Sequence, residues 1–207
     1  MVYNRAMKHN EENVIVENVL TEDEMSLVYS KVNSSTSKHV MKLFAQTVSD
    51  FDLPEIVRKK VVAYAEKISG ENNLEIAEYQ FARYKKVLDD ESKQPLLPKL
   101  IPHWDAAFEE PRFTFDYQIG GNTAWPIVVE EKEFILKNNS ALTFSGTHQI
   151  HWRTPKIFDD NEYLDMVFFH LRKIGAQKSE DGLETIMIEK LNSYSEAYKQ
   201  EADNATD

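Results

Sequence analysis

Residues 141–146, ALTFSG, and residues 148–153, HQIHWR, are short β-prone runs laid end to end. Successive side chains of an extended segment point to opposite faces, so the second run presents His151 and Arg153 on one face and His148, Ile150 and Trp152 on the other. The same grammar continues on both sides. Residues 75–88 (EIAEYQFARYKKVL), 112–119 (RFTFDYQI), 125–132 (WPIVVEEK), 133–137 (EFILK) and 162–172 (EYLDMVFFHLR) are aromatic or β-branched runs. Turn residues separate them, as at Gly120-Gly121-Asn122 and Asn138-Asn139-Ser140. About seven or eight short strands between roughly residues 76 and 173 predict one antiparallel sandwich or barrel.

Helical signals flank this core. Residues 13–20 form a β-prone run, after which Thr21 and Glu24 have capping-box spacing and predict a helix from about Thr21 into the low thirties. The patch 33–37 reads as a loop. Pro54 suits a first helical turn, Val57, Val61, Tyr64/Ala65 and Ile68 repeat at helical spacing, and Gly70 closes the segment. Near the C-terminus Leu183, Met187, Leu191, Tyr194 and Tyr198 line one helix face, directed at the core, before an acidic tail from Glu201. The expected class is α+β with a mainly β core. It is organised as one domain over 1–207: helical support over about 1–75, β core over about 76–173, and a C-terminal helix over about 181–200.

Composition restricts the chemistry. With 42% hydrophobic and 11% aromatic residues, 207 residues can build a sizeable core. Zero cysteines exclude disulfides, thiolate metal sites and cysteine nucleophiles, leaving His, Asp and Glu as metal ligands. A formal charge of −11 opposes a nucleic-acid surface and a polybasic membrane patch. The first residues lack a secretory pattern and no run is long enough to span a membrane, so a soluble cytoplasmic protein is expected.

Three residues could share a metal. On an extended segment His103 and Asp105 of LIPHWD point one way while Trp104 turns away, and His151 is the natural third ligand from HQIHWR. Two imidazoles and one carboxylate on one face of an octahedron leave positions open, as ferrous iron requires to hold a co-substrate and dioxygen together. Spacing alone is weak evidence, because His-x-Asp recurs by chance.

The wider pattern is more specific. A Gln-Phe-Ala-Arg-Tyr run precedes the His-x-Asp, a Trp-Pro lies mid-core, and Ala-Leu-x-Phe-x-Gly precedes the distal His-Trp-Arg. From Tyr79 to Arg172 the chain resembles the double-stranded β-helix (jelly-roll, cupin-like) core of the Fe(II)/2-oxoglutarate-dependent oxygenases. The resemblance implies that His103, Asp105 and His151 are the catalytic metal ligands and that Fe(II), 2-oxoglutarate and O2 are the cofactor and co-substrates. It also implies decarboxylation to succinate and CO2, yielding an oxidant that removes a hydrogen from a small molecule or an exposed side chain. Related halogenases have a small residue in place of the carboxylate, so Asp105 favours hydroxylation.

The far carboxylate of 2-oxoglutarate needs a cation, preferably the planar fork of arginine. Many members carry it a short way beyond the distal histidine, where this chain has Asn161 and Glu162. Arg153 is the expected substitute, with Arg83 and Arg112 as rivals and Tyr84 and Tyr117 supplying a hydroxyl. His148 reads as an exposed or supporting residue, His170 as a core histidine, and the run 89–94 as a lid. Two other functions fit the same residues: a cupin-like binding protein that turns nothing over, and a zinc hydrolase, for which no general-base motif is evident.

Overall fold

The alternation along the β-prone runs builds two antiparallel sheets with helices on their outer faces. The computed structural model describes residues 13–35, 40–42, 45–49, 51–88, 92, 95, 97–105, 112–176 and 183–204. In chain order the elements are β1 (Val14–Glu17), α1 (Glu22–Ser34), β2 (Val40–Lys42), β3 (Ala45–Val48), α2 (Glu55–Ser69), β4 (Leu74–Lys85), β5 (Leu100–His103), β6 (Arg112–Gly121), β7 (Ile127–Val129), β8 (Lys132–Phe134), β9 (Ser140–Phe144), β10 (His151–Arg153), β11 (Tyr163–Lys173) and α3 (Leu183–Asn204). The larger sheet has the order β1-β9-β6-β11-β4-β3-β2, and the smaller β5-β10-β7-β8.

Three apolar layers follow from which face each side chain takes. The outer face of the larger sheet sends Phe81, Phe115, Tyr117 and Phe169 into a cluster with Val28 of α1 and Val57 and Val61 of α2. Its inner face packs Ala82, Tyr84, Leu142 and Met166 against Ile127 and Val129 of the smaller sheet. Ile150 and Trp152, on the other side of the smaller sheet, meet Met187 and Tyr198 of α3. The C-terminal stripe therefore covers the core, as its spacing predicts; the Leu183 side chain lies outside the described residues.

The helix ends obey their local signals. Thr21 Oγ1 accepts from the Glu24 amide at 3.3 Å while Glu24 Oε2 accepts from the Thr21 amide at 2.8 Å, closing the capping box. Gly70 ends α2 at φ 72°, a left-handed conformation that glycine adopts without a Cβ penalty. Strands β2 and β3 were not legible: β3 is a short mixed run, AQTV, held by pairing with β4 on one side and β2 on the other. The first 75 residues thus add strands to the larger sheet as well as helices to its back. The acidic run 89–91 and most of the expected lid lie outside the described residues. Among the described residues no helix is long and apolar enough to cross a membrane.

Candidate metal centre

His103 closes β5, His151 opens β10, and the two are directly paired across the antiparallel ladder. Their imidazoles share a face, with ring centroids 4.1 Å apart. Each ring is pinned by its Nδ1, which donates to the Ile101 carbonyl at 2.9 Å in His103 and to the Gln149 carbonyl at 3.1 Å in His151. Because a carbonyl can only accept, the proton sits on Nδ1, leaving both Nε2 lone pairs for a metal. Burial, reinforced by the neighbouring His103, holds the His151 imidazole well below the usual histidine range, so it is neutral and ready to ligate.

Asp105 arrives differently from the alternation argument. β5 ends at His103, and the Asp105 amide instead donates to the Gly146 carbonyl at 2.8 Å, a contact with the turn after β9. Trp104 does turn away, joining the cluster beneath α3. Thr114 Oγ1, on the inner face of β6, donates to Asp105 Oδ2 at 2.6 Å. The other oxygen, Oδ1, stands 3.8 Å from His151 Nε2. Ligand atoms of His103, Asp105 and His151 all lie within 4.8 Å of one another, close enough to share one ion. Gly146 permits this arrangement, since a Cβ there would collide with Asp105 Oδ2 and Thr114 Oγ1.

The three ligands border a cavity of about 820 Å³, lined also by Tyr84, Thr114, Asp116, Phe168 and His170. Tyr84 has its hydroxyl pushed up to about 12 by burial and its ring edge-on to Trp125 at 4.9 Å. Arg153 is buried beyond them, over the Trp125 ring with 5.1 Å from Cζ to the centroid. Its Nη1 donates to the Trp125 carbonyl, its Nη2 lies 4.0 Å from Met166 Sδ, and its Nε has no partner. Desolvation pulls the Arg153 pKa down while Asp116 and then Tyr84 oppose it electrostatically.

Two sequence-based expectations require correction. Tyr117 does not face the cavity: strand alternation puts it on the helix side, where its hydroxyl donates to Asn139 Oδ1 at 2.9 Å. His170, expected in the core, faces the cavity instead; its Nδ1 donates to Glu78 Oε1 at 2.6 Å and its Nε2 stands 3.7 Å from Asp105 Oδ2. Arg83 is committed elsewhere, forming a two-pronged pair with the fully buried Asp165 at 2.7 and 2.6 Å. The Arg112 side chain lies outside the described residues. His148 is half-buried, with Nδ1 2.9 Å from Thr147 Oγ1 and 3.0 Å from Ser145 Oγ.

Thr114, Asp116 and His170 were missed although alternation could have found two of them. Phe113, Phe115 and Tyr117 are the obvious apolar set of β6, which leaves Thr114 and Asp116 facing the other sheet.

Solved structures share this arrangement of elements. SnoN, an epimerase crystallised in complex with Fe3+, alpha-ketoglutarate and nogalamycin RO, aligns with a TM-score of 0.61 at 12% identity over 82% of this chain and 82% of its own. An oxidoreductase of the 2OG-Fe(II) oxygenase family from Burkholderia pseudomallei aligns at 0.54 with 14% identity, over 76% of this chain and 83% of its own. EctD from S. alaskensis, solved with 2-oxoglutarate and 5-hydroxyectoine, aligns at 0.59 with 9% identity, over 82% and 74%. The chain has the fold of the 2-oxoglutarate/Fe(II) oxygenases. In that oxygenase fold the metal-competent trio sits at the cavity between the two sheets. No family model and no curated protein matches the chain.

Proposed function

We propose that the protein is an Fe(II)- and 2-oxoglutarate-dependent dioxygenase with a double-stranded β-helix core, hydroxylating a small molecule or an exposed side chain and releasing succinate and CO2. The convergence of two Nε2 lone pairs and one carboxylate oxygen at a cavity carries this reading. Such a donor set suits ferrous iron with open positions. The unpartnered, buried Arg153 Nε fits a co-substrate carboxylate, because a guanidinium out of water without a full set of acceptors is costly until an anion arrives.

When bound, iron with 2-oxoglutarate and dioxygen would supply the oxidising power. The residues themselves do the rest. His103 and His151 hold the metal in the tautomer that their backbone partners impose. Thr114 holds Oδ2 of Asp105 by a hydrogen bond, with Oδ1 on the side of His151 Nε2. Tyr84 lines the cavity, Arg153, buried over the Trp125 ring, would supply the cation for the far carboxylate, and Phe168 provides an apolar wall that limits water.

The test is anaerobic spectroscopy of protein mixed with Fe(II). A weak visible charge-transfer band is expected only with 2-oxoglutarate also present, and succinate should form on admitting air. His103→Ala and Asp105→Ala should each abolish both signals while the far-ultraviolet circular dichroism is retained. Folded wild-type protein that gives neither band nor succinate would move the assignment to a binding protein with the same fold.

A further inference from the structure

One side chain from each of three neighbouring strands forms a row across the inner face of the larger sheet. Thr114 of β6 stands directly opposite His170 of β11, and His170 directly opposite Glu78 of β4. The row begins on a metal-competent carboxylate, because Thr114 Oγ1 donates to Asp105 Oδ2 at 2.6 Å. It ends at Glu78, whose Oε1 accepts from His170 Nδ1 at 2.6 Å and so fixes the imidazole in the plane of its ring. Between these bonds His170 Nε2 stands 3.7 Å from the same Asp105 Oδ2, too long for a hydrogen bond but at van der Waals separation, with no room for another atom. Oδ2 is thus bonded on one side and walled in on another, while Oδ1 lies 3.8 Å from His151 Nε2. The row depends on a break in register. Pairing with β4 shifts between His170 and Leu171, which skips Ala77 and sets Glu78 beside His170 at the cavity while Ile76 packs on the helix side.

We propose that His170, held by Glu78, is a positioning residue that confines Asp105 to ligation through one oxygen and thereby keeps open a metal position that 2-oxoglutarate needs. This rests on the oxygenase reading and adds to it two residues that act through Asp105. A carboxylate free to rock can offer one cation both of its oxygens. Three single-atom donors leave three of six octahedral positions open, and a second oxygen from Asp105 would take one of them. The single hydrogen bond from Thr114 is a pivot about which the carboxylate can turn, and the edge of the His170 ring blocks that turn. Glu78 matters because an imidazole without its Nδ1 partner rotates away from Asp105.

The experiment uses Ni(II), which is redox-inert here, so that no turnover interferes. Wild type, His170→Ala, Glu78→Ala and Glu78→Gln are titrated calorimetrically with Ni(II) and then, once loaded, with 2-oxoglutarate, and thermal unfolding checks that each is folded. Crystals of loaded wild type and His170→Ala, grown without 2-oxoglutarate, count the Asp105 oxygens on the metal. Expected are one oxygen in wild type and two in His170→Ala, with Ni(II) held at least as tightly in both alanine variants and 2-oxoglutarate bound about ten-fold more weakly. Glu78→Gln keeps an acceptor for Nδ1 and should restore the wild-type affinity. A loss of Ni(II) affinity in His170→Ala, which a ligand or a mere structural prop would give, overturns the proposal; so does unchanged 2-oxoglutarate affinity, or one Asp105 oxygen on the metal in both crystals. The oxygenase reading stands in each of those cases. Wild type that takes Ni(II) but not 2-oxoglutarate removes the oxygenase reading and the co-substrate half of the proposal, whereas the oxygen count still decides whether His170 confines Asp105. Should His170→Ala fail to fold, Glu78→Ala at its half-exposed position carries the same expectations, and wild-type behaviour there overturns the proposal.

Discussion

Gly146 occupies a place where no side chain fits, because a Cβ there would collide with Asp105 Oδ2 and Thr114 Oγ1. Gly146→Ala should push Asp105 off its position and cost about 10–100-fold in metal affinity, the usual price of disturbing the groups that support a ligand. Titration of the folded variant with Ni(II) measures it, and undiminished affinity would show that Asp105 can ligate from another rotamer. The three residues whose ligand atoms converge, His103, Asp105 and His151, were legible in sequence from their types and the pattern around them. The groups that hold those residues were not: Thr114 reaches Asp105 across nine positions and two segments, and nothing local marks Thr114 as different from other strand threonines.

At the scale of elements, local chemistry decided most boundaries. α1 begins where Thr21 and Glu24 satisfy each other's free amides, so Thr21→Ala should destabilise the protein by about 1 kcal/mol without affecting metal binding. Urea denaturation with a parallel metal titration checks both halves of that expectation. The amphipathic spacing of α2 correctly identified Val57 and Val61 as buried, and β11 was visible as an aromatic and β-branched run. β3 escaped because four residues of mixed polarity carry no periodic signal, and it exists by pairing with β4. Tyr117 and His170 were misplaced for one reason: alternation relates residues within a strand but does not say which face looks inward. The helices settle that, since Phe115, Tyr117 and Phe169 pack beneath α1 and α2, and Thr114, Asp116 and His170 must then face the cavity.

The whole molecule determines how costly the cavity charges are. Burial between the sheets pushes Asp116 up to about 7 from 3.8. The folded state thus holds this proton more tightly than the unfolded chain does. The stability associated with it is complete below the lower value and is lost as pH rises through the higher one. Metal-free wild type should therefore lose on the order of 2 kcal/mol relative to Asp116→Asn between about pH 5 and pH 8. Denaturant unfolding of both proteins at the two pH values reads this difference, and parallel profiles would mean that the carboxyl finds solvation the closed sandwich does not suggest.

Sequence by itself determined the alternating β core, the two amphipathic helices that back the larger sheet, the helix that covers the smaller one, and the side chains able to grip a metal. Each depends on periodicity or residue type, which are properties of neighbours along the chain. Only the tertiary structure decided that Asp105 leans on Thr114 and Gly146, that His170 and Asp116 share the cavity, that Tyr117 does not, and that Arg153 lies behind Tyr84 with a free donor. Those facts depend on which strands become neighbours and which face each turns inward, and that is fixed by burying apolar surface from distant parts of the chain together.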